Sequence, residues 1–171
     1  MEIVRQKLAV VEDMLNHYDH LGRLALQERL RYEFLTLRPA LDKNTKDQIS
    51  SARLEYEAGC LQQTEMATAI RNITGATSIE QLREDTVALK NLYSGYVNLT
   101  EQIVTSEATL PVLIQMLEGD EDSTVQQERE KLEVDLAEIP AKRRHRDLIA
   151  AKINEVAERI QYKPISRLER I

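Results

Sequence analysis

The chain of 171 residues contains one cysteine, no tryptophan, one phenylalanine and five glycines. A single cysteine excludes a disulfide framework within the chain and fits a reducing, intracellular compartment, so we expect a cytoplasmic protein. No apolar run approaches the roughly 20 residues that a membrane-spanning helix needs. The charged residues Glu2, Arg5 and Lys7 interrupt the first apolar residues, so we expect no signal peptide.

Charged residues make up 30% of the chain and aromatic residues only 4%. This composition is typical of long helices in thin bundles, which expose much surface per residue. The formal net charge of -6 makes nucleic acids and anionic membranes unfavourable partners. The sequence contains no phosphate-binding glycine loop, zinc-protease motif, paired cysteines or serine nucleophile elbow. We therefore expect no enzyme, no catalytic residue, no cofactor and no metal ion.

Apolar spacing predicts a long first helix, Ile3 to Leu37, with a coiled-coil seam. The seam advances by four and three residues in alternation, along Val4, Leu8, Val11, Leu15 and Tyr18. It loses register near Gly22, and we expect it to resume at Leu30, Phe34 and Leu37. Additional apolar residues widen the stripe, which favours packing against two or more neighbouring helices.

A turn from Pro39 to Thr45 precedes a second helix that is expected to end near Ile73. Thr45 and Gln48 have the spacing of a capping box, and Pro39 in the first helical turn is an equal alternative.

Gly75 predicts a left-handed helix end, and Thr77 or Ser78 is expected to cap a third helix. That helix would run from Ile79 to Leu117, with either a kink or a short break at Pro111. In the second case Thr109 would cap the helix that restarts.

The acidic turn from Asp120 to Ser123 is expected to cap a fourth helix with one of its last two residues. Apolar spacing predicts this fourth helix over Thr124 to Ile139 and a fifth over Ala141 to Ile160, separated by Pro140.

Together these elements predict an all-α fold, an elongated antiparallel helical bundle. Three long helices would form a body over residues 1–120, and a C-terminal helical hairpin over residues 121–171 would pack on it or extend it within one domain.

The three-helix body resembles a spectrin-type repeat in outline, by helix length and topology. The tryptophan that is typical of such repeats is absent here. The resemblance implies a structural role in a cytoskeletal or trafficking assembly.

Two groups of residues could carry chemistry, and we favour a structural interpretation of both. Asp13, His17 and His20 lie on one helix face, but a carboxylate-bridged metal bundle needs a Glu-x-x-His motif on each of two helices. A metal-binding bundle is therefore the third and weakest hypothesis. Cys60 has no neighbouring base or helix N-terminus in the sequence, so a buried core position suits it better than a catalytic one.

A basic run is the strongest local charge feature, and it consists of Lys142, Arg143, Arg144, His145 and Arg146. It would follow Pro140 in the first turn of the fifth helix, where basic residues oppose the helix dipole. One interpretation is a docking site for an acidic partner. The other is pairing with the acidic fourth helix.

These observations predict a non-enzymatic structural or adaptor protein that acts as a scaffold or spacer through contacts with other protein chains, identical or different. The alternative is a regulatory binding module that docks an acidic partner through residues 142–146.

Overall fold

The structure is a computed structural model that describes residues 1–38, 42–119 and 122–161. Four α-helices form this part of the chain. They are α1 (Glu2–Thr36), α2 (Lys43–Thr74), α3 (Ile79–Met116) and α4 (Ser123–Arg159). The predicted all-α helical bundle is confirmed, whereas the spectrin-like outline stays a prediction. Pro39 and the acidic residues Asp120 and Glu121 lie outside the described residues.

The chain forms two compact units by its internal packing. Unit 1 comprises Met1–Thr86 with Arg159–Ile171, and unit 2 comprises Val87–Glu158. Helix α3 therefore contributes its first turns to unit 1 and the rest of its length to unit 2. The predicted boundary at residue 120 and the expectation of one domain stay predictions.

The seam of α1 continues through the point at which we expected it to lose register. The predicted seam positions of its first half are buried or half-buried, namely Val4, Leu8, Val11, Leu15 and Tyr18. The same alternation then leads through half-buried Gly22 to Ala25, which is 5% exposed. The predicted return of the seam at three large residues is wrong, because all three are exposed: Leu30, Phe34 and Leu37.

Helix α2 carries a matching seam and packs antiparallel to α1. Its half-buried or buried positions also alternate by four and three, along Thr45, Ile49, Ala52, Tyr56, Gly59, Gln63, Met66 and Ile70. Gly22 of α1 lies against Gln63 of α2, and Ala25 lies against Gly59. Further along, Arg31 forms an ion pair with Glu55 at 3.7 Å. As the residue number rises along α1, the number of the residue opposite it on α2 falls, so the two helices are antiparallel.

Helices α1 and α2 approach each other closely where both have small residues. A Cβ atom at Gly59 would lie 3.1 Å from Cβ of Ala25 and 3.3 Å from its Cα. Small residues allow two helix backbones to approach each other, so this part of the seam is filled without large side chains. This explains why Leu30, Phe34 and Leu37 were wrongly assigned to the seam.

Helix ends follow local signals, with one correction. Asp42, and not Thr45, caps α2, because the Asp42 carboxylate accepts a hydrogen bond from the Thr45 backbone N–H at 2.7 Å. This hydrogen bond lowers the pKa of Asp42. Gly75 ends α2 with a φ of 69°, as predicted. The Ser78 hydroxyl accepts from the Gln81 N–H at 3.0 Å and caps α3, which selects Ser78 over Thr77.

The acidic turn before α4 also supplies a cap. The Asp122 carboxylate accepts a hydrogen bond from the Thr124 N–H at 2.7 Å, so Asp122 rather than Ser123 performs the predicted capping. This hydrogen bond lowers the pKa of Asp122.

Residues after α4 complete the core of unit 1. The Gln161 N–H donates to the Thr74 carbonyl oxygen at 2.9 Å, and the side chain of Ile160 is 1% exposed. Arg159 donates to the largely buried Asp85 carboxylate at 3.2 Å. A charge-compensated carboxylate is tolerated in a nearly buried position, whereas an unpaired one would be costly.

A second ion pair joins α1 to the start of α3 within unit 1. Arg83 donates two hydrogen bonds to the Asp19 carboxylate, one of them at 2.9 Å. The hydrogen bonds lower the pKa of Asp19 below its usual value of 3.8. Because the folded pKa is the lower one, the pair stabilises the fold above about pH 4 and loses this effect as the pH falls below that. Both side chains are partly exposed, so the contribution is small.

The predicted pair of C-terminal helices is a single helix, and the predicted hairpin is therefore wrong. Helix α4 runs from Ser123 through Pro140 to Arg159. Likewise α3 continues through Pro111. Of the two alternatives given for this position, the short break with Thr109 as cap is therefore wrong, and the kink stays a prediction. An interior proline costs about 3 kcal/mol of helix stability, and this cost was the reason to expect an interruption at Pro111.

Burial beside each proline explains the two continuous helices. Leu110 precedes Pro111 and Ile139 precedes Pro140; both belong to one core cluster in unit 2, together with Ile103. The prolines themselves are exposed. Burying two large aliphatic side chains is worth about 1.5–3 kcal/mol each, which offsets the cost of a proline in either helix.

The contact at Gly59 predicts opposite effects for two glycine substitutions. We expect Gly59→Leu to lower the free energy of unfolding by about 1–3 kcal/mol, because the added side chain meets Ala25. The matched control is Gly95→Ala in α3, where an added Cβ has no neighbouring atom within 4 Å. It should raise the free energy of unfolding by about 0.5–1 kcal/mol. Urea unfolding followed by circular dichroism measures both, and an unchanged midpoint for Gly59→Leu would contradict the close packing.

Replacing the exposed proline of α4 should stabilise the protein. Pro140→Ala restores a backbone N–H that can donate to Leu136, so we expect the free energy of unfolding to rise by about 1–3 kcal/mol. Pro111→Ala in α3 should act in the same direction. Urea denaturation tests both variants. Loss of stability would instead mean that the proline geometry itself positions Ile139 in the core.

Candidate functional site

The predicted docking residues 142–146 lie in the middle of α4 and not at the start of a helix. The cost of placing basic residues in a first helical turn therefore does not arise. That cost was one reason for assigning a docking role to the run, and the continuous helix removes it.

Three of the five basic residues are engaged within unit 2. Lys142 lies 3.7 Å from Glu138 on the same helix, and Arg143 forms an ion pair with Glu107 of α3. Arg146 donates to the Asp147 carboxylate at 2.8 Å, which raises the pKa of Arg146. Of these three pairs, only that of Lys142 with Glu138 matches the predicted pairing with the acidic fourth helix, whereas Arg143 pairs with α3 and Arg146 with its own neighbour.

Glu107 makes the Arg143 contact structurally important. The Glu107 Oε1 atom is shielded from solvent, and the Arg143 guanidinium lies against this same atom. The ion pair with Arg143 compensates its charge, and Arg146 adds a second positive charge nearby.

The remaining two residues of the run, Arg144 and His145, are exposed. Neither has a hydrogen-bond or ion-pair partner within the described ranges. The run therefore separates into a structural part that faces α3 and a small part that faces solvent.

The other candidate residues are not brought together. Asp13, His17 and His20 are all exposed on α1. Across residues 1–38, 42–119 and 122–161, no three His, Cys, Asp or Glu side chains are grouped so that they could hold a metal ion. Cys60 is half-buried, and a hydrogen bond with Cys60 raises the pKa of Tyr56 one turn earlier.

Helix α1 carries an exposed apolar stripe that sequence reasoning assigned to the core. It consists of Leu26, Leu30, Phe34 and Leu37, which are 51%, 55%, 65% and 81% exposed. We call these four residues the α1 stripe. Their spacing of four, four and three places them on one helix face. The seam towards α2 is occupied by other residues, including Ala25 and Leu35.

Helix α2 adds two exposed leucines to unit 1. Leu54 and Leu61 are two helical turns apart, and they are 65% and 60% exposed. The charged neighbours pair among themselves, as in Arg29 with Glu33 at 2.9 Å and Arg53 with Glu57 at 2.8 Å. Two ion pairs next to the exposed apolar residues are thus already formed.

No protein-family model, no curated protein and no solved structure matches this chain. Within the described part of the chain, no helix has an apolar stretch long enough to cross a membrane.

A signal for the α1 stripe was present in the sequence. The alternation of four and three continues from Tyr18 through Gly22 to Ala25 without a change of register. Following this register places Leu30, Phe34 and Leu37 outside the seam. Small residues carry little hydrophobic signal, and for this reason the stripe of large residues was preferred.

The unequal environments in the basic run predict unequal effects of charge reversal. Arg143→Glu should lower the free energy of unfolding by about 1–2 kcal/mol, because it places a second negative charge against the shielded Glu107 oxygen. Arg144→Glu, the matched control, should change it by less than about 0.5 kcal/mol. Thermal and urea unfolding measure both. Equal effects would show that Arg143 is not a structural partner of Glu107.

Proposed function

We propose that this protein is a non-enzymatic structural or adaptor subunit that holds other protein chains through its helix surfaces. The α1 stripe carries the proposal, because four large apolar side chains lie exposed along one helix face. Contiguous exposed apolar surface on a folded protein is typical of protein-interaction sites.

The geometry of the stripe suits a helical partner. Apolar residues that repeat every three or four positions fit the groove between residues of a second helix, as in coiled coils and helix-in-groove complexes. The neighbouring pairs Arg29–Glu33 and Arg53–Glu57 are already formed. A partner can therefore cover the leucines without leaving these charges unpaired.

Packing inside unit 1 does not account for the stripe. Ala25 and Leu35 are buried in α1, and Ala25 lies close against Gly59 of α2. Polar residues at positions 30 and 34 would serve the α1–α2 contact equally well. Their apolar character therefore supports a role in contact with another chain, as a scaffold or spacer.

We include the cytoplasm and a cytoskeletal or trafficking assembly in the proposal. A single cysteine suits the reducing cytoplasm. A cytoskeletal or trafficking assembly is suggested only by analogy with other long helical bundles.

The alternative proposal, docking of an acidic partner at residues 142–146, has narrower support. Only Arg144 and His145 face solvent without partners in the described structure. Two groups of this kind supply a weak electrostatic contact, since an exposed ion pair is worth about 0.2–1 kcal/mol.

The experiment combines light scattering with photo-crosslinking. Benzoylphenylalanine replaces Phe34 in the full chain, in the cells that produce the protein, and Asn16 on the same helix is the exposed polar control position. We expect Phe34 to crosslink to one or a few protein chains that Asn16 does not reach. If the partner is a second copy, light scattering should also give twice the mass of the monomer.

A paired variant separates loss of binding from loss of fold. Leu30→Gln with Phe34→Gln should abolish the assembly, because it removes two apolar contacts, while the free energy of unfolding changes by less than about 1 kcal/mol. A monomer in solution with no Phe34-specific crosslink in cells would overturn the proposal.

A further inference from the structure

A second apolar surface lies in unit 2, where the end of α3 faces the start of α4. Its walls are formed by Leu113 and Met116 of α3, by Leu117 directly after α3, and by Val125 and Leu132 of α4. They line an open groove of about 440 Å³. We call it the α3–α4 groove.

The groove begins where the core of unit 2 ends. Leu110 is the last buried residue of α3. Beyond it, Leu113 is 44% exposed and Met116 is 75% exposed. Both side chains are large and apolar, and no other described residue covers them. Methionine suits such a surface, because its flexible side chain adapts to different partners.

The surrounding chain is strongly acidic. Residues 118–138 contain nine acidic and two basic residues in the sequence, a net charge of -7, whereas the whole chain has -6. One of the two basic residues, Arg129, is held by Glu133 at 2.9 Å. Glu128 lines the groove itself. The potential at this surface therefore attracts positive charge.

We propose that the α3–α4 groove receives the apolar face of a basic amphipathic helix from a partner protein. The groove takes apolar side chains spaced by three and four residues, and flanking Lys or Arg residues on that helix face Glu128 and the other acidic residues of 118–138. A second copy of this chain does not fit, because docking groove to groove would bring two segments of net charge -7 together.

This inference deepens the proposed function by giving the chemistry of one partner. It rests on the premise that the protein works through protein contacts, but it uses a surface other than the α1 stripe. An experiment can therefore contradict the α3–α4 groove without contradicting the α1 stripe, and the reverse.

The test is selection from a random-sequence peptide display library against the full-length protein. Binders are counter-selected on a Leu113→Gln, Met116→Gln variant, in which the groove has lost its exposed apolar side chains. Selected peptides are then synthesised, and their affinities are measured by fluorescence anisotropy at low and at high salt. The matched control is Leu148→Gln on α4, which replaces a leucine that is 70% exposed outside the groove.

We expect the selected peptides to be net positive, with apolar residues spaced by three and four. Their affinity should fall by about tenfold or more with the Leu113→Gln, Met116→Gln variant and two- to fivefold with Glu128→Gln. It should weaken at high salt and stay unchanged with Leu148→Gln and with the α1 stripe variant. Circular dichroism checks that each variant keeps the helical content of the wild type.

Three results would overturn the inference. Selected peptides that are neutral or acidic would refute the basic partner. Basic peptides that bind the groove variant and the Leu148→Gln variant with the same affinity would show that only general attraction to an acidic surface is present. Loss of binding with the α1 stripe variant would place the site on unit 1, which would contradict the groove and support the proposed function instead.

Discussion

The contact between Ala25 and Gly59 determines how unit 1 is arranged. Because neither residue extends beyond a methyl group, the backbones of α1 and α2 approach each other and both seams continue in register. In the second half of α1, Leu35 is buried, whereas the α1 stripe lies exposed on another face of the helix.

Unit 2 depends on a different constraint, the burial of residues that precede prolines. Leu110 and Ile139 belong to one core cluster, and their packing keeps α3 and α4 helical through Pro111 and Pro140. The apolar surface past Leu110 is not covered by the core, Glu128 lines the groove there, and the sequence of residues 118–138 is strongly acidic. The same two helices thus provide a firm core and an open acidic groove next to it.

Charge in this protein has both structural and surface roles, and neighbouring residues divide them. Within the basic run of α4, Arg143 compensates the shielded Glu107 and Arg146 binds Asp147, while Arg144 and His145 face solvent. In unit 1, Arg83 with Asp19 and Arg159 with Asp85 connect segments that are distant in sequence. A count of charges along the chain does not distinguish these roles, because the partner of Arg143 is on another helix.

Local physics was enough to predict the helical class, the seam of the first half of α1 and the left-handed end at Gly75, and to narrow the caps of α3 and α4 to two neighbouring residues each. These features depend on residues within a few positions of each other. Tertiary structure decided which face of α1 meets α2. Gly22 and Ala25 become part of the interface because Gln63 and Gly59 of α2 lie opposite them. It also decided that α4 is one helix, because a proline that would end an isolated helix is tolerated when Ile139 is buried against α3.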